Sequence, residues 1–119
     1  MEMKHAVASL SALAHESRLA IFRMLVQAGP EGIAAGDIAR RLAVPPSSLS
    51  ANLTVLGHAG LVASRREGRS VIYSAQYPKM TALLAYLLED CCGGSPEICQ
   101  PLAQTLASAA CCAPGTTAQ

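Results

Sequence analysis

The apolar pattern of this chain is interrupted once, and that interruption limits what it can fold into. Up to Ala59 apolar residues recur at helical spacing, and from Met80 they do so again. Between them, Leu61–Arg66 and Ser70–Ser74 read as two short extended runs about Glu67-Gly68-Arg69, with Gly68 supplying the backbone freedom of a tight hairpin. A single hairpin set among helices predicts a mainly α fold with a small β-hairpin. With no Trp and Phe22 the only Phe, the core must be built from Leu, Ile, Val, Met and Ala, a composition suited to close-packed helices. Apolar residues make up 51% of the 119 residues and charged ones 14%, as expected of one packed domain with no room for a separate catalytic one.

The helices follow from spacing and stop signals. Residues 5–13 are rich in Ala and Leu. Residues 16–28 carry Leu19, Ile21, Phe22, Leu25 and Val26 at helical positions and end at Gly29-Pro30. A short helix over 37–42 turns Ile38 and Leu42 inward and Arg40 and Arg41 outward. Pro45-Pro46 then opens a helix reaching about Ala59, with Gly60 as its C-terminal stop. Met80, Leu83, Leu84, Leu87, Leu88 and Cys91 form the most regular stripe of the chain, predicting a helix over 79–91, and residues 97–110 carry the pattern of one more short helix. The expected organisation is a first domain over 1–92 and a cysteine-containing extension over 93–119. No apolar run has signal-peptide or membrane-spanning length, so a cytosolic protein without a membrane partner is expected.

Helix, Pro-containing turn, polar helix and basic hairpin is the order of a winged helix-turn-helix. The second helix of that motif enters a DNA major groove, which here would present Ser47, Ser48, Ser50 and Asn52 to base edges. Leu49, Leu53 and Leu56 would hold it to the core, while Arg65, Arg66 and Arg69 would bring the hairpin to phosphates or the minor groove. Charge agrees. Residues 36–75 hold five arginines against two carboxylates, although the whole chain has a net charge of only +1. There is no nucleophile–base pair, phosphate loop or paired carboxylates, so no enzymatic activity is expected. His5, His15 and His58 share no metal-ligand spacing with the cysteines.

All five cysteines lie in the last third: Cys91, Cys92, Cys99, Cys111 and Cys112. In a reducing compartment, clustered thiols point to ligation of a thiophilic ion or to redox sensing rather than to a disulfide scaffold.

The segments Ala14-His15-Glu16-Ser17-Arg18-Leu19-Ala20-Ile21-Phe22, Ser48–Val62 and Arg65–Tyr73 resemble the ArsR family of homodimeric winged-helix repressors, over about residues 6–90. The resemblance implies a homodimer on operator DNA, joined through the first helix and the 79–91 helix. Where family members often carry His before the recognition-helix leucine, Asn52 stands here. The family's Cys-x-Cys arsenic site before the third helix is replaced by Ala34-Ala35-Gly36. Its zinc site on the fifth helix lacks the histidines, and a dithiol pair shared by the second and fifth helices lacks its first Cys. Cys91-Cys92-Gly93-Gly94-Ser95-Pro96-Glu97-Ile98-Cys99 is similar to the arsenic-responsive branch whose Cys-Cys…Cys set closes the fifth helix. That likeness implies trivalent arsenic (arsenite) or antimony as inducer, held by Cys91, Cys92 and Cys99. Three thiolates suit the trigonal pyramid of arsenite, whereas zinc takes four ligands in a tetrahedron. Two alternatives stay open. One is a zinc- or cadmium-responsive repressor that adds Cys111 or Cys112 as fourth ligand; the other is a thiol redox module.

Overall fold

The computed structural model describes residues 1–88 and, beyond them, Gln100, Pro101, Gln104 and Thr105, which are helical. The chain divides into two compact units, Met1–Tyr86 and Leu87–Gln119. The expected domain boundary at 92/93 lies outside the described residues.

The order of elements is α1 (Met3–Leu13), α2 (Glu16–Ala28), β1 (Ile33–Ala34), α3 (Ala35–Leu42), α4 (Pro46–His58), β2 (Val62–Glu67), β3 (Ser70–Ala75) and α5 (Tyr77–Leu88). The mainly helical architecture with its hairpin is the winged helix-turn-helix expected. One strand was not anticipated. The sheet has three strands in the order β1-β3-β2, because Ile33 and Ala34 pair antiparallel with Tyr73 and Ile72. A two-residue strand is too short to show alternation. Its placement depends instead on Gly32, which takes φ 76° and lies so close to β3 that a Cβ there would collide with the Tyr73 carbonyl oxygen.

Local chemistry sets the ends of the helices. α2 begins at His15, whose Nδ1 accepts from the amide of Ser17 at 3.3 Å. α4 carries Pro46 in its first turn, where the missing N–H costs nothing. At its other end Gly60 takes φ 77°, and the amide of Leu61 bonds to the Leu56 carbonyl at 3.0 Å. α3 ends on Ala43 at φ 54°, an L-residue in the left-handed region where the chain turns towards α4.

The core joins Ile21, Phe22 and Leu25 of α2, Ile38 of α3, Leu49, Leu53 and Leu56 of α4, and Leu61 and Val62 leading into the wing. Burying each such side chain is worth about 1.5–3 kcal/mol, so packing rather than propensity fixes α4 against α2 and α3. The Tyr77 hydroxyl donates to the Val26 carbonyl at 2.9 Å and ties the start of α5 to the end of α2. Leu19, one of the apolar positions of α2, is 44% exposed and lies on the rim of an apolar hollow of about 300 Å³ with Leu13, Phe22, Val26, Met80 and Leu83.

Candidate nucleic-acid interface

α4 separates its residues by face. Leu49, Leu53 and Leu56 are buried, whereas Ser47, Ser48, Ser50, Ala51, Thr54 and His58 are exposed. Ser47, Ala51, Thr54 and His58 fall at i, i+4, i+7 and i+11, one row along the outward side. Thr54 was missed by sequence reasoning. It could have been found as the exposed residue opposite the leucine stripe; its Oγ1 donates to the Ser50 carbonyl at 2.9 Å. Asn52 is placed differently from the three serines. Three residues after Leu49 and four before Leu56, it borders the buried stripe and is half-buried, and its Oδ1 accepts from Arg18 Nη1 at 3.4 Å.

The start of α4 favours an anion. Pro45 at the N-cap offers no side-chain acceptor, and the first turn carries no acidic residue. The free amides there and the helix dipole both attract phosphate.

The wing is β2 and β3 joined through Gly68 and Arg69, with Glu67 opposite Ser70. Gly68 has φ 64°, and positive φ only at the first central residue is what a type II′ hairpin turn requires. The three wing arginines differ. Arg65 donates from Nε to Glu67 Oε2 and from Nη2 to the Glu31 carbonyl, each at 2.7 Å, so it pins the wing to the turn before β1. Arg66 and Arg69 are exposed and bond to no described residue, which leaves both guanidinium forks free for phosphate. On the neighbouring α3, Arg40 pairs with Asp37.

The thiols Cys91, Cys92 and Cys99, with Cys111 and Cys112, lie outside the described residues. Among the described residues no three His, Cys, Asp or Glu side chains stand close enough to share a metal ion. No described helix is long and apolar enough to cross a membrane.

Residues 13–65, from the end of α1 into the wing, match the family model described as a helix-turn-helix domain. The HTH-type transcriptional regulator YgaV of Escherichia coli (strain K12) is 32% identical over 89 residues, 75% of this chain and 88% of that protein. The chain belongs to the helix-turn-helix transcriptional regulators. Among solved structures, an ArsR-like transcriptional regulator from Rhodococcus sp. RHA1 superposes with a TM-score of 0.64 at 27% identity, covering 89% of this chain and 93% of that one. A homodimeric winged helix-turn-helix DNA-binding domain from Mycobacterium bovis, a possible ArsR-family regulator, gives 0.60 at 28% identity over 74% and 82%. These relatives are regulators of transcription, not enzymes.

Proposed function

We propose that this regulator is an arsenite- or antimonite-responsive repressor. In this reading a homodimer binds double-stranded operator DNA and lets go when the trivalent metalloid is held by Cys91, Cys92 and Cys99. The observation that carries the DNA half is the pairing of an uncapped, hydroxyl-lined α4 with a wing whose Arg66 and Arg69 are unengaged. Ser47, Ser48, Ser50 and Asn52 would face base edges, and Arg66 and Arg69 would hold the backbone. Arg65 would contribute by fixing the wing, and reach phosphate only with whatever capacity its two internal bonds leave.

Dimerisation is supported by the apolar surface. Met3, Val7 and Leu10 are exposed at i, i+4 and i+7 along α1, and Leu84 is exposed on α5 beside the apolar hollow. Large apolar side chains grouped on one helix face are best explained by a partner that covers them. The M. bovis domain is homodimeric.

The metalloid half is supported by the sequence of the Cys-Cys-Gly-Gly-Ser-Pro-Glu-Ile-Cys segment and by the preference of trivalent arsenic for thiolates. Titrating arsenite and zinc in parallel into the operator-bound protein, followed by fluorescence anisotropy of labelled DNA, tests it. Release by arsenite or antimonite at stoichiometric concentrations is expected. Release by zinc or cadmium alone would replace this reading with a four-thiolate site that includes Cys111 or Cys112. Release by a thiol oxidant but by no metal ion would replace it with a redox sensor.

A further inference from the structure

Asn52 borders the buried side of α4, and its surroundings decide what its amide can offer. Arg18, in the first turn of α2, donates from Nε to the carbonyl of Ala12 at 2.6 Å and from Nη1 to Asn52 Oδ1 at 3.4 Å. Ala12 lies in the last turn of α1, where carbonyls lack an intrahelical partner, so the Nε bond satisfies a group that needs one. The guanidinium is planar and rigid. With Nε fixed on α1, its Nη1 is fixed as well. The opposite orientation of the Asn52 amide would set its NH2 against that N–H, donor against donor. Oδ1 is therefore turned towards α2, and Nδ2 bonds to no described residue.

We propose that Arg18 makes Asn52 a donor-only reader of DNA, which selects guanine over adenine at one base pair of each half-site. The proposal rests on the reading of α4 as the helix that enters the major groove. A free Asn amide pairs with adenine through two bonds, accepting from N6 and donating to N7, and for this both amide atoms must face the same base edge. With Oδ1 engaged by Arg18, the half-buried Asn52 keeps only its Nδ2 hydrogens to offer a base edge. Guanine offers them two neighbouring acceptors, N7 and O6. Adenine would set its N6 donor against them. Arg18 touches no base and acts as a positioning residue, linking the end of α1 to the choice made at α4.

Selection from a randomised duplex pool, with the full chain and its variants, tests this. Wild-type protein is expected to favour guanine over adenine at one position per half-site by about tenfold, within the span of one good base contact. Asn52→Ala should erase that preference and leave the other positions as they were. Arg18→Met, which keeps an unbranched stem but has no donor, should swing the same position towards adenine. Should Arg18→Met fail to fold by circular dichroism, Arg18→Leu serves, since it too lacks a donor; the same swing is expected. Asn52→Asp keeps the acceptor for Arg18 and removes the amide donor, so a folded protein blind to guanine at that position is expected. Unchanged selection by the Arg18 variant, or a wild-type preference for adenine there, would overturn the proposal. Wild-type protein that selects no sequence at all would instead overturn the reading of α4, and the proposal with it.

Discussion

Gly32 is the residue whose backbone the fold can least do without. Its positive φ and its close approach to the Tyr73 carbonyl act together, and a backbone oxygen held in a sheet cannot step aside for a methyl group. The strained φ alone costs an L-residue about 1–3 kcal/mol. Gly32→Ala should lower the urea midpoint by at least that equivalent and loosen β1 from β3; an unchanged midpoint would mean that β1 contributes nothing to stability. The same scale shows why parts of the candidate site were hidden in the sequence. That Arg65 and Asn52 are polar and sit in a hairpin and a helix was legible. Their partners were not, because Glu31 and Arg18 each lie 34 residues away and meet them only once the core has formed. Ser47, Ser48 and Ser50 were legible as exposed because local period alone decides the face of α4, and Thr54 obeys the same rule.

Among the elements, α2 matches its expected span of 16–28, since a capping residue and Gly29-Pro30 bound a regular apolar period. The hairpin was legible for a like reason, with two short extended runs on either side of a Gly turn. β1 was not, because its pairing is decided by β3, some forty residues on. Under the proposed function the wing divides its arginines between two tasks, and mutation should separate them. Arg66→Ala or Arg69→Ala should weaken binding to all DNA sequences alike and reduce the log–log salt slope by about 0.9 for each phosphate no longer held. Arg65→Ala should lower stability as well, because it frees the wing from Glu31. Measuring affinity across a salt series, beside thermal unfolding, distinguishes them. Equal salt slopes for wild type and the Arg66 and Arg69 variants would remove the wing from the interface.

In the whole molecule, the proposed function puts recognition and sensing in different parts of the chain, so the two should fail separately. Cys91→Ser, Cys92→Ser and Cys99→Ser should each leave operator affinity within about twofold, since none lies near α4 or the wing in sequence, and each should abolish release by arsenite. Retained release in all three would move the site to Cys111 and Cys112. How arsenite capture at one end of the chain would reach the DNA follows from the join between β3 and α5. Gln76 is the only residue between them; its amide bonds to the Leu61 carbonyl at 2.8 Å, and its carbonyl accepts from Lys79 and Met80 in the first turn of α5. Wing strand and α5 thus share a one-residue joint, and under the proposed function a torque on α5 would meet no loop that could absorb it before the wing. Three glycines inserted after Gln76 would act as a clutch. Arsenite should still bind, operator should still bind, and the two titrations, run together, should no longer notice each other.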